Sequence, residues 1–183
     1  MIHSSRLLVL LVGIALAACS DPFEPFLAPV PEPLEDVLID FEAGGLVDPA
    51  AFDMILAAPV RTDLTNGWDF LFRVDPSLGP VLVPRNAFVD DDSSAGLLVE
   101  TRTFDEIDSV PEEGYDTETQ VSLAPGMVLA MISRPNPQFG VRCRQYGLLE
   151  VVSIDGDPAR LTIRHVVNPN CERTLVREEE TTE

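Results

Sequence analysis

Hydrophobic positions along the chain fall in short runs broken by Pro, Gly, Asn and Asp, the punctuation of strands and turns rather than of long helices. The clearest run is Trp68-Asp69-Phe70-Leu71-Phe72-Arg73-Val74, where the two-residue period of a strand predicts Trp68, Phe70, Phe72 and Val74 on one core face. Further strands are predicted at residues 37–41, at 80–84 as a short edge strand, and at 97–103, the last followed by a turn at 104–107 and an irregular acidic stretch at 111–117. Pro125-Gly126 separates residues 120–123 from 127–133 and predicts a hairpin. One short helix is expected, with Asp48 as its cap, Pro49 as its first residue and Pro59 as its end. No repeat, heptad or long amphipathic helix is present in the pattern.

Near the C-terminus, Asp155-Gly156-Asp157-Pro158 is turn chemistry between two β-rich runs, residues 141–154 and 160–167. One antiparallel register sets Val151 against Ile163, Glu150 against Arg164, Leu149 against His165, Arg142 against Glu172 and Cys143 against Cys171. That register satisfies an apolar pair, two opposite-charge pairs and the cysteines together, with room for a bulge to slip the outer pairs. The pattern as a whole predicts a mainly β fold: a single antiparallel β-sandwich or partly closed barrel with one or two short helices.

The first residues follow a different logic. Arg6 precedes an apolar run over residues 7–18, and Leu16-Ala17-Ala18-Cys19 places small residues before a cysteine. A membrane-spanning helix needs about 20 apolar residues, so this run is too short to span. The arrangement resembles the lipobox of bacterial lipoproteins, which implies cleavage of residues 1–18 as a signal peptide and lipidation of Cys19; an ordinary secretory cleavage nearby is the competing reading. Ser20 after that cysteine points to the outer membrane, with Asp21 a mixed signal. The expected location is therefore the cell envelope, with a lipid anchor on a membrane and the folded part facing the periplasm or the cell surface. Residues 19–35 carry five prolines without a hydrophobic period and read as an acidic, extended tether. Residues 36–177 read as a β-rich globular domain and 178–183 as an acidic tail.

Charge narrows the partners. The 31 acidic residues against 12 basic ones give a net charge of −19, which argues against nucleic acid, whose phosphates need clustered positive charge. The same charge repels anionic lipid headgroups, so membrane attachment falls to the lipid. Every basic residue is arginine, which excludes lysine Schiff-base chemistry.

Candidate chemistry is sparse. With Cys19 lipidated in an oxidising compartment, Cys143 and Cys171 are expected to form a disulfide; a metal site of both thiolates with His165 lacks a fourth ligand of suitable spacing. His165, the one histidine left after cleavage, falls on the apolar side of its strand with Leu161 and Ile163 and reads as a packed core residue, since no Gly-x-Ser-x-Gly or His-Glu-x-x-His element accompanies it. Asp90, Asp91 and Asp92 lack the alternating ligand spacing of a calcium loop and read as a solvated loop. Arg142 and Arg144 share one strand face and could grip an anion, although bridging to Glu150 or Glu172 competes.

Three segments carry a family likeness: Trp68-Asp69-Phe70-Leu71-Phe72-Arg73, Phe104-Asp105-Glu106-Ile107 before Pro111, and Tyr146-Gly147-Leu148-Leu149-Glu150-Val151. With the lipobox, they resemble the HmuY-like lipoproteins, a resemblance that implies an all-β, surface-anchored protein and, in some members, haem held by paired histidine or methionine ligands. This chain offers only His165, with Met54, Met127 and Met131, so no cofactor is assigned. The Asn168-Pro169-Asn170-Cys171 ending also resembles bacterial lipoproteins that carry a paired-cysteine C-terminal hairpin. The expectation from sequence is a lipid-anchored, non-enzymatic envelope protein with a binding or structural role. A carrier of a small hydrophobic ligand such as haem is the first alternative, and an envelope hydrolase the second.

Overall fold

The protein's structure, a computed structural model, describes residues 27–45, 47–89, 94–138 and 141–177, with the backbone alone for Pro137, Gln138, Val141 and Arg142. It is an antiparallel β-sandwich of two five-stranded sheets, not a closed barrel. The first sheet runs in the order β1 (Leu34–Ile39), β12 (Arg160–Val167), β11 (Tyr146–Asp155), β8 (Val128–Ile132), β6 (Gly96–Glu100). The second runs β3 (Ala58–Val60), β2 (Ala51–Asp53), β4 (Phe70–Asp75), β5 (Gly79–Pro84), β7 (Val121–Ser122). A small hairpin of β9 (Asn136–Gln138) and β10 (Val141–Cys143) lies beside them. Helical structure among the described residues is one turn, α1 (Arg85–Phe88), and a 3-10 turn, η1 (Phe104–Glu106).

Hydrophobic burial explains why both sheets hold. Phe52, Phe70, Phe72 and Leu82 from the second sheet meet Leu129, Met131, Leu149 and Ile163 from the first in the inter-sheet core. The strand period sends the intervening residues outward, yet most of these are apolar too, because each outer face is also covered. Val128, Ala130, Ile132, Tyr146 and Leu148 pack under Phe104, Ile107 and Val176, while Leu71, Val81 and Val83 pack with Trp68. Two covered faces are what turn the central strands β8 and β11 into near-continuous apolar runs rather than alternating ones.

The C-terminal hairpin has the predicted central register: Leu149 opposite His165, Glu150 opposite Arg164, Val151 opposite Ile163. A bulge between Val151 and Ser153 shifts the pairs toward the turn. At the other end the ladder stops at Gly147 and Val167, because Val141–Cys143 turns away to pair with β9, Arg142 lying opposite Pro137 rather than Glu172.

Four local expectations are corrected. Residues 48–59 form no helix; Ala51–Asp53 and Ala58–Val60 are a tight hairpin, because Phe52 gains more by entering the core between β3 and β4 than a one-sided helix would bury. Asp48 accepts a hydrogen bond from the Gly45 N–H at 2.8 Å instead of capping a helix. Trp68 precedes β4 and joins Leu71 on the outer face, opposite Phe70 and Phe72, and Val74 is only half-buried. Residues 80–84 lie inside the sheet, β5 pairing with β4 and β7; β7 pairs only with Val81 and Leu82, so Pro80 and Pro84 sit where a missing N–H costs nothing on that side. Finally, the segments flanking Pro125-Gly126 do not pair: β7 belongs to the second sheet and β8 to the first, so this turn, with Gly126 at φ +82°, carries the chain across the sandwich.

Candidate functional site

Three polar arrangements stand out in a fold otherwise held by apolar packing. The first ties the sheets together. Arg134 leaves the end of β8 and reaches across to the second sheet, where its Nη1 donates to Asp69 Oδ2 at 2.7 Å and its Nη2 to Asp53 at 3.1 and 3.2 Å. Asp69 also accepts from the Arg134 backbone N–H at 2.7 Å and the Met54 N–H at 2.8 Å, and Asp53 accepts from the N–H groups of Ile55 and Leu56. Both carboxylates are buried, Asp69 completely. Burial pushes the Asp69 carboxyl up to about 6, against the downward pull of Arg134 and of the donating N–H groups. A Cβ at Gly67 would lie 3.2 Å from Arg134 Nη2, a tight approach beside the bridge.

The second arrangement is His165, which is buried against Phe52 with ring centroids 4.7 Å apart. Its Nε2 lies 2.9 Å from Asp36 Oδ2 on β1, and its Nδ1 is buried without a partner. With the Asp36 carboxylate as acceptor, Nε2 is the donor of this bond.

The third is a clasp built on the Asn168-Pro169-Asn170-Cys171 segment. Asn170 binds Ala28 as a neighbouring strand would: its Oδ1 accepts from the Ala28 N–H at 2.9 Å and its Nδ2 donates to the Ala28 carbonyl at 2.8 Å. Asn168, buried, holds Asn170 through its Oδ1 and donates to the Leu175 carbonyl at 2.7 Å. Cys171 is fixed to Cys143, at disulfide distance with Cα atoms 5.0 Å apart; closing a loop of this length stabilises a fold by about 3 to 4 kcal/mol in the chain-entropy view. The strap that follows pairs with residues 108–110, Val110 N–H donating to Thr174 and Val176 N–H to Asp108. Between the clasped segment and the strap runs an open groove of about 250 Å³, walled by Leu27, Pro29, Val30 and Leu175 with Asn170 and Arg173 at its rim.

The residues singled out from sequence fare unevenly. Cys143 and Cys171 come together; Cys19 and residues 90–92 lie outside the described residues, as does the Arg142 side chain. Arg144 binds Ser94 Oγ through its guanidinium at 2.7 Å, while its backbone N–H donates to the Glu172 carboxylate at 3.0 Å. Glu150 pairs with Arg164 as expected, at 3.5 Å, although Asp105 is the closer partner at 2.7 Å. His165 is bound to Asp36 on β1, and the two sulfurs are engaged with each other. Met54 and Met131 are fully buried and Met127 partly so, all in the inter-sheet core. The triad of Asp53, Asp69 and Arg134 is not announced by the sequence pattern; the available signal is an aspartate inside each of two apolar runs, Phe52-Asp53-Met54 and Trp68-Asp69-Phe70, where a buried acid demands a partner. No family model matches the chain, and neither a curated protein nor a solved structure matches it.

Proposed function

We propose that the protein is a lipid-anchored module of the cell envelope whose role is binding or structural interaction rather than catalysis, held to the membrane through Cys19. The observation that carries this reading is the clasp: Asn170 binds Ala28 through both amide atoms, so the chain joins the folded body nine residues after the cysteine of Leu16-Ala17-Ala18-Cys19. In support, the buried acids Asp53 and Asp69 are each engaged by Arg134 and backbone N–H groups, a use of charge that builds the sandwich rather than a reacting pair.

Metabolic labelling with an alkyne fatty acid tests the anchor. Label is expected on the wild type and lost in Cys19→Ala; an unlabelled wild-type protein recovered from the cell interior overturns the reading. Haem titration tests the alternative carrier role. Met54 and Met131 are fully buried in the inter-sheet core and His165 is engaged by Asp36, so no Soret shift is expected, and a saturable shift would favour the haem carrier.

A further inference from the structure

The clasp is closed by the cystine beside it. Beyond the β11–β12 ladder the two chains continue side by side in an uneven register: Asn168 N–H donates to the Tyr146 carbonyl and Glu172 N–H to the Arg144 carbonyl, both at 2.9 Å. Residues 169–171 therefore bulge opposite Gln145 alone, and Asn170, at the middle of the bulge, is the residue that binds Ala28. Glu172 ends the bulge at φ +54°, a left-handed conformation in which a non-glycine residue is strained and which persists only where its surroundings hold it. Two holds lie next to it. The Glu172 carboxylate accepts from the Arg144 N–H at 3.0 Å, and Cys171 is bound to Cys143. The second can be opened by chemistry, and its two halves differ: Cys143 is buried and Cys171 exposed.

We propose that the Cys143–Cys171 bond is a redox latch on the clasp. Oxidised, it holds Asn170 on Ala28; reduced by a dithiol partner, it lets the bulge relax and frees the N-terminal segment without unfolding the sandwich. Exposure makes Cys171 the half that a partner can reach. One thiolate of the dithiol bonds to Cys171 Sγ as the Cys143–Cys171 bond breaks, and Cys143 leaves as a thiolate that takes a proton from water. The second thiol, deprotonated, then displaces Cys171 from the mixed disulfide; Cys171 takes a proton and the dithiol departs as a disulfide, two electrons having passed to the cystine. The strap stays in place, because Val110 N–H donates to Thr174 and Val176, buried under the first sheet, donates to Asp108. Among the described residues, the next hydrogen-bonded attachment along the chain after Ala28 is β1, from Leu34. Release therefore frees six more residues, a reach of at most about 22 Å at some 3.3 to 3.6 Å per residue. That this length is added between a membrane and the folded body rests on the reading of Cys19 as the anchor; the latch itself does not.

Amide hydrogen exchange tests the latch in the full chain carrying Cys19→Ala, which leaves Cys143 and Cys171 as its only cysteines. With dithiothreitol as the dithiol, the Ala28 and Glu172 N–H groups are expected to exchange about tenfold faster after reduction, while the aromatic circular dichroism is unchanged. Asn170→Ala is expected to show the fast Ala28 rate already when oxidised, with no further gain on reduction, since both changes act through one contact. Glutathione, an acid quench and mass mapping are expected to trap the mixed disulfide on Cys171. Equal Ala28 rates in the oxidised and reduced chain overturn the latch. So does loss of the aromatic signal on reduction, the mark of a staple for the whole fold, and so does a mixed disulfide confined to Cys143 or a slow Ala28 rate in oxidised Asn170→Ala. Fatty-acid labelling of the chain that keeps Cys19 reads the anchor alone, so each reading can fail without the other.

Discussion

At the scale of single residues, the strongest commitment is the Arg134 bridge. Arg134 neutralises two buried carboxylates from the other sheet, and removing one member of such a set leaves the rest uncompensated, at about 3 to 5 kcal/mol. Arg134→Met is therefore expected to lower the free energy of unfolding by that amount in urea titration, with little change in slope. Asp69 adds a dependence on pH. Its folded value, about 6, lies above the ordinary 3.8 because burial disfavours the charged form. A raised folded value means that the stabilising contribution of this group is complete below about pH 3.8 and is lost as pH rises through about 6; the full excursion is on the order of 3 kcal/mol. A carbon-13 carboxyl titration is expected to place the Asp69 midpoint near 6, and a midpoint near 4 would show that the Arg134 and N–H contacts fully offset burial.

At the scale of elements, what was legible in the sequence depended on whether neighbours along the chain were also neighbours in space. The β11–β12 hairpin was readable to its register because a turn and local cross-strand pairs fix it. The strand at Phe70–Asp75 was readable because Phe70 and Phe72 alternate. The hairpin at Ala51–Val60 was not, since Asp48 and Pro49 carry helix-start chemistry and the deciding contact, Phe52 opposite Phe70, is with a strand far along the chain. The Arg134 bridge was hidden for the same reason: it joins residues 65 and 81 positions apart. The predicted split at Pro125-Gly126 had the right turn but the wrong partners, because local chemistry does not say which sheet each arm joins. Gly147 shows how tightly the central strands are drawn together. A Cβ there would stand 2.7 Å from the Val166 carbonyl oxygen and 3.2 Å from Met131 Cε, and a backbone oxygen in a ladder cannot withdraw. Gly147→Ala is expected to destabilise the fold by about 1 to 3 kcal/mol, measured as a lower denaturation midpoint, whereas Gly79→Ala meets no atom within 4 Å and pays only the strain of its φ of +76°.

At the scale of the whole molecule, charge and anchoring pull in opposite directions. A net charge of −19 is repelled by an anionic leaflet, and the attraction of basic residues for such a surface is about 1 kcal/mol each only where they cluster. Among the described residues the arginines are spread out and mostly engaged: Arg134 by Asp53 and Asp69, Arg164 by Asp105 and Glu150, Arg61 by Asp63. Nor is any helix of the described residues long and apolar enough to cross a membrane. On the proposed reading, attachment rests on acyl chains at Cys19, each buried methylene contributing about 0.8 kcal/mol, with two chains sufficient for stable anchoring where one is marginal. The consequence is a sharp contrast in flotation with vesicles containing anionic lipid. The acylated chain is expected to float at low and at high salt alike, because its attachment is hydrophobic. The Cys19→Ala form is expected to stay at the bottom of the gradient in both. Flotation of that form at low salt, abolished by salt, would mean that a basic face on the folded body does the work assigned to the lipid.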